Sequence, residues 1–246
     1  MTAHSHAADR VLPRGWGHLA LQFAIWLGFY GAYQVARGAA DQSVDQAFEN
    51  GRRIIDLQRG LGSMIELPLQ NAVEASSLLV QATSYTYWLS QFAVVGIALL
   101  WTYVRAHDRF FRFRNTLILA NLIGLVGYVV FPTAPPRMFP EAGFTDTLAA
   151  HSTVTHESVA FAANPYAAMP SLHSADAIIV GVVMALAVRS RWAKALWLAW
   201  PVWVWISVMA TGNHFWLDIA AGLAVAAVAA AIVYRGRLLR PFRPVR

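Results

Sequence analysis

The stretch TGNHFWLDIAAGLAVAAVAAAIVY, Thr211 to Tyr234, decides the fold. From Phe215 to Tyr234 it is almost wholly apolar, with Asp218 its one charged residue. As a helix, a run of about 20 residues crosses about 30 Å of hydrocarbon. Five further runs share this character: Leu19–Ala36, Ser84–Val104, Thr116–Phe131, Ser171–Val188 and Ala195–Ala210. The 246 residues are 57% hydrophobic and 13% charged, and mean hydropathy is +0.45. A soluble domain carries about 25% charged residues, so a water-soluble fold could not cover its surface. The composition therefore predicts an all-α, polytopic membrane protein with six transmembrane helices. The chain has no cysteine, which excludes disulfides, thiolate metal sites and a cysteine nucleophile.

Orientation follows from the basic residues. Of 19 Lys and Arg, 14 fall in the N-terminal tail, the segments after the second and fourth spans, and the C-terminal tail. The other side holds Arg37, Arg52, Arg53, Arg59 and Arg137, together with most of the acids. Both termini are expected in the cytoplasm, and the loops 37–83, 132–170 and 211–214 on the outer face. The net charge of +6 then reflects the positive-inside rule and affinity for anionic headgroups at the cytoplasmic face, not nucleic acid. The first span is longer than a typical signal-peptide core and reads as a retained anchor. One membrane domain is expected over 19–235, between a tail at 1–18 and a basic tail at 236–246. Segment 41–83 keeps Val44, Phe48, Ile54, Leu61 and Ile65 at near-helical spacing, broken by Gly60, Gly62 and Pro68. It predicts short helices on the outer leaflet that pack rather than react.

Ionisable groups in an apolar span cost about 2.5–3.5 kcal/mol at a helix centre and usually mark function. His214 and Asp218 stand i, i+4 on one helix face, where the carboxylate can hold the imidazole in one tautomer. Ser171, after Pro170, is a natural N-cap for the fourth span, which sets His173 in a first turn rich in free backbone N–H groups. Asp176 is close to His173 along this helix and carries no catalytic role in this reading. Three prolines in Phe131-Pro132-Thr133-Ala134-Pro135-Pro136-Arg137 end the third span in an extended exit. Arg137 is the sole basic residue of the outer loop 132–170. The topology brings Arg137, His173 and His214 to one membrane face, a set suited to phosphoryl transfer. One histidine would attack phosphorus, the other would protonate the leaving oxygen, and Arg137 with backbone N–H groups would neutralise the phosphoryl oxygens. No metal or cofactor is required.

These motifs resemble the type 2 phosphatidic acid phosphatase superfamily, in particular its bacterial branch similar to inositol phosphorylceramide synthase, the inositolphosphotransferase type. The resemblance covers at least 128–222, through Ala134-Pro135-Pro136-Arg137, Asn164 to His173, and Thr211-Gly212-Asn213-His214 with Asp218. It implies a six-span fold with an outward site in a bacterial cytoplasmic membrane, and a catalytic core at about 128–222. By the same resemblance His214 is the nucleophile that forms a phosphohistidine, Asp218 its orienting partner and His173 the general acid. Arg137 and Ser171 would bind phosphate. The fuller family pattern has a Lys seven residues before the Arg, a Gly before the acid His, and a Ser-Arg pair ahead of the nucleophile. Here Val130, Leu172 and, after Ser207, Val208 stand there. Two phosphate-binding cations are absent from the motif, which points to a less charged phosphodiester or to other donors such as Asn213.

The predicted activity is that of a lipid phosphoesterase or phosphotransferase acting on membrane lipids, with water or an alcohol such as inositol as acceptor. Three other readings stay open on the residues themselves. They are a bis-histidine haem protein using His173 and His214, a metal site built on His214, Asp218 and His173 with help from His151 or His156, and a transporter. A transporter would need polar groups near the bilayer midplane, where Asn121 is the clear candidate and reads better as a contact between helices. The outer loop 138–169 is long enough to cover the site and select substrate.

Overall fold

A computed structural model describes residues 12–39, 43–151 and 164–238. His156 and the centre of the outer loop lie outside the described residues. The described chain is helical, with no strand and a single parallel bridge, Thr133 to Ala167. Its helices are α1 (Gly15–Ala39), α2 (Val44–Gly60), α3 (Glu66–Glu74), α4 (Ser77–Leu89), α5 (Val95–Arg105), α6 (His107–Val130), α7 (Thr147–His151), α8 (Leu172–Ala187), α9 (Arg191–Ala210) and α10 (Trp216–Leu238). A π-helical turn, Ser90–Val94, joins α4 to α5.

Among the described residues five helices are long and apolar enough to cross a membrane: α1, the continuous α4–α5 unit, α6, α9 and α10. The fourth predicted span, α8, has 16 residues and is about 24 Å long. It falls short of the length of the other five, and its sequence suits a central place in the bundle. Ten of its residues are buried, many of them Ala, Ser or Gly, because α5, α6, α9 and α10 pack around it. The small side chains let neighbouring backbones approach closely. A Cβ on Gly181 would lie 2.6 Å from the Trp197 carbonyl of α9. That carbonyl has lost its usual i+4 donor to Pro201, and α9 nevertheless runs through the proline unbroken.

Two helices start earlier than hydropathy predicts. The second span begins at Ser77, not Ser84, with Ser76 capping it through a bond from the Leu79 N–H. The third begins at His107, so Arg109, Arg112 and Arg114 ride on its first turns. Long basic side chains can reach water from a helix end, which hides the true start from an apolar-run criterion. At this end Arg14 lies over the Phe111 ring, 5.1 Å from its centroid, and Arg114 bonds the Gln22 amide oxygen.

The short helices expected within 41–83 exist as α2 and α3, and they pack against the connections between the long helices. The face carrying Ala47, Asn50, Gly51, Ile54, Ile55 and Gln58 is buried, whereas Val44, Leu57, Leu61 and Ile65 are exposed. Pro68 is tolerated in the first turn of α3, where no intrahelical donor is lost. Asn50 Nδ2 donates to the Pro132 carbonyl at 2.8 Å, and the Ala134 N–H donates to the Ala47 carbonyl at 3.0 Å. The proline-rich exit from α6 is thereby fixed against α2. Gln70 of α3 donates to the Thr145 carbonyl and the Thr147 hydroxyl. The three connections predicted to share one face do meet at one end of the bundle.

Candidate active site

Each side chain of the site is placed by a break in a helix. Past Phe131, the Thr133 N–H donates to the Tyr166 carbonyl at 2.7 Å, and the Ala168 N–H to the Thr133 carbonyl at 3.2 Å. This short parallel pairing ties the exit of α6 to the approach of α8. A 3-10 turn, Pro136–Met138, follows and carries Arg137, whose N–H donates to the Gly212 carbonyl at 2.9 Å. Gly212 adopts φ +69°, and a Cβ there would sit 2.8 Å from the Thr145 carbonyl. Only glycine fits a left-handed position so close to another backbone. Asn213 and His214 leave this turn with both N–H groups on the Val208 carbonyl.

His214 is buried; its Nδ1 hydrogen-bonds the Ala168 carbonyl at 2.9 Å, and Asp218 Oδ2 lies 3.4 Å from the same nitrogen. A carbonyl only accepts, so the proton sits on Nδ1 and Nε2 is the unprotonated nitrogen of the neutral ring. The sequence reading gave this orienting role to Asp218. The structure places a backbone carbonyl beside that carboxylate, and the hydrogen bond belongs to the carbonyl. Asp218 is fully buried and Oδ2 also accepts from the Phe215 N–H at 2.8 Å, capping the start of α10. Burial pushes the pKa of His214 down to about 3, against a partial rise from the Ala168 bond. A ring with that pKa is neutral at ordinary pH.

His173 lies in the first turn of α8, its ring centroid 5.7 Å from that of His214. It hydrogen-bonds the Tyr87 backbone and stacks on the Tyr87 ring at 4.6 Å. Arg137 Nη1 donates to Asn213 Oδ1 at 2.6 Å, and its Nε lies 3.7 Å from Asp146 Oδ2. Burial lowers the Arg137 pKa. Asn213 lines the cavity, but its amide nitrogen donates to Thr211 and its oxygen serves Arg137. It positions the cation. Ser171 caps α8, with its Oγ accepting from the Ser174 N–H and lying 2.9 Å from Ser174 Oγ. Its N–H donates to the Asp218 carbonyl, so its placement is that of a helix cap beside the site.

Arg137, His173, Asn213 and His214 line one polar cavity together with Tyr33, Arg37, Tyr87, Gln91 and Tyr128. The last five were not singled out by the sequence reading. Gln91 arrives through the π-helical turn, a feature common at functional sites. Asp176 pairs away from His173: it accepts from Asn121 at 3.1 Å and from Gln91. Asn121 thus joins α6 to α8. Among the described residues no group of three His, Asp or Glu side chains is placed to hold a metal ion. The cavity between the histidines is small and polar, unlike the broad apolar slot that a porphyrin needs.

Two histidines, an arginine and a buried carboxylate thus meet at one end of a bundle of apolar helices. Residues 52–232 match the PAP2 superfamily, and the chain belongs to it. It is also 26% identical over 157 residues to a phosphoinositol dihydroceramide synthase of Bacteroides thetaiotaomicron. That alignment covers 58% of this chain and 50% of the relative, so the chain spans about half the length of the protein it matches. No solved structure matches the chain.

Proposed function

We propose that this protein is a metal-independent lipid phosphotransferase or phosphoesterase that works through a phosphohistidine on His214. The observation that carries the reading is the His214 imidazole, bonded through Nδ1 to the Ala168 carbonyl with Asp218 3.4 Å away, its ring 5.7 Å from His173 in a cavity shared with Arg137. His214 Nε2 attacks phosphorus as the bond to the leaving oxygen breaks, and His173 gives that oxygen its proton. An acceptor hydroxyl then returns a proton to His173 and attacks phosphorus, breaking the N–P bond. Arg137 offsets the charge that builds on the non-bridging oxygens.

In this reading all six apolar helices span a bacterial cytoplasmic membrane, both termini are cytoplasmic, and the site faces outward. The distribution of Lys and Arg supports that orientation. The name of the Bacteroides relative describes phosphoinositol joined to dihydroceramide, which favours a phosphodiester donor and an alcohol acceptor over water.

The test uses the purified full chain with a lipid phosphomonoester or a phosphatidylinositol-type phosphodiester, with and without a ceramide-type alcohol or inositol. A new phospholipid is expected when an alcohol is present, with an acid-labile phosphoprotein on the path and total loss in His214→Ala. Turnover unchanged in His214→Ala, or neither free phosphate nor a new phospholipid from wild type, would sink the proposal.

A further inference from the structure

Arg37 closes α1, roughly a hundred residues before any motif of the site. It lines the cavity with His173, His214 and Arg137, and its charge bears on Arg137 and on both imidazoles. Its guanidinium carbon lies over the Tyr128 ring, 5.6 Å from the centroid, within reach of a cation–π contact. One Nη2 contact to the Asn164 carbonyl, at 3.4 Å, is long. Its Nε is buried without a hydrogen-bond partner among the described residues, where no carboxylate pairs with it either. A buried, unsatisfied donor on a cation is costly unless an anion meets it. Arg137 has only a loose ion pair with Asp146, at 3.7 Å. Two guanidinium groups therefore face one cavity with little compensating negative charge, an arrangement complementary to an anion.

The family pattern has cations where this chain has Val130 and Val208. Val130 is 70% exposed, and Val208 is sealed in an apolar cluster with Val204 and Ile219. Neither position lines the cavity. We propose that Arg37 supplies the missing positive charge in space: it is the second phosphate-binding residue, and with Arg137 it takes the two non-bridging oxygens of a phosphodiester. This assignment rests on the phosphotransfer reading above and adds to it a substrate-binding residue from a helix that carries no motif.

Orthovanadate, which mimics the phosphoryl group, is the probe, titrated against the purified full chain and its variants. Arg37→Gln is expected to bind it at least about tenfold more weakly, with a matching rise in KM for the phosphodiester. Arg37→Met keeps the stem that packs near Tyr128 and carries the same expectation, should Arg37→Gln not fold. A residue that merely braces the Asn164 carbonyl would lower the melting temperature and leave vanadate affinity within about twofold. That result, with vanadate binding still dependent on His214, overturns the Arg37 assignment alone. Wild-type protein that binds no vanadate, or binds it equally well as His214→Ala, overturns the phosphotransfer reading and the assignment with it.

Discussion

Asn213 Oδ1 accepts a 2.6 Å hydrogen bond from Arg137 Nη1, so the residue beside the proposed nucleophile holds the cation contributed by another connection. The Asn213 amide nitrogen is in turn anchored on Thr211. Nucleophile and cation are thereby set at a fixed separation by one side chain. Asn213→Ala is expected to cut turnover by about 10- to 100-fold, the equivalent of one charge-assisted hydrogen bond. Asn213→Asp keeps the acceptor and should lose less. Steady-state kinetics on both variants is the check. Equal losses in the two would mean that the Arg137 contact does not matter.

The buried His214 ring makes a second prediction, in pH. Its pKa falls from the usual 6.5 to about 3, because burial disfavours the charged form. Between those values the unfolded chain binds a proton on this histidine that the folded chain does not. Stability therefore rises with pH across this window and is lost as pH falls from about 6.5 toward 3. His214→Gln removes the titration, so its melting temperature should change less over that range than that of wild type. Parallel melting curves from pH 7 to pH 4 in one detergent measure the difference. Curves of identical slope would show that His214 is not the neutral, buried ring described above.

Hydropathy and residue spacing exposed much of the bundle and the ends of the site. Phe215–Tyr234 shows itself because its one charge, Asp218, interrupts an apolar run. Arg137, His173 and His214 stand out because each sits at the end of such a run. What composition conceals are contacts made by backbone or by distant helices. The Ala168 carbonyl has no side-chain signature. Tyr87 and Gln91 are ordinary polar residues of a span until the π-helical turn and the early start at Ser77 bring them to the cavity. Arg37 looks like a flanking charge, since nothing in its neighbourhood reports that α1 ends beside the site. Asp176 would pair with His173 by spacing alone, yet Asn121 and Gln91 hold it.

Gly222 carries a third prediction. A Cβ at this position of α10 would lie 2.2 Å from the Ser171 carbonyl oxygen, a backbone atom that cannot swing aside. The same approach lets the Ser171 N–H donate to the Asp218 carbonyl at 2.9 Å. Gly222→Ala must push α10 and the start of α8 apart, at a cost of about 1–3 kcal/mol for overpacking. His173 and His214 sit on the two sides of that seam, so activity should fall further than the loss of stability alone accounts for. Turnover measured well below the melting temperature of the variant separates the two effects. Wild-type turnover there would mean that the seam does not set the distance between the histidines.

Glu66 carries the last prediction, from a helix that hydropathy places outside the spans. Its fully buried Oε1 accepts from Gln58 Nε2 and from the Trp216 N–H, each at 2.7 Å. The second bond satisfies a free donor in the first turn of α10, where a negative charge also suits the helix dipole. Burial raises the Glu66 pKa, and both bonds oppose that rise. Glu66→Ala strands two buried donors and is expected to cost about 1–3 kcal/mol. Trp216 is two residues from His214, so the loosened start of α10 should also lower turnover. Glu66→Gln retains a carbonyl oxygen for Trp216 and should keep most of both properties. Melting temperature and turnover for the pair decide the matter: an Ala variant as stable and active as wild type would remove Glu66 from the support of the site.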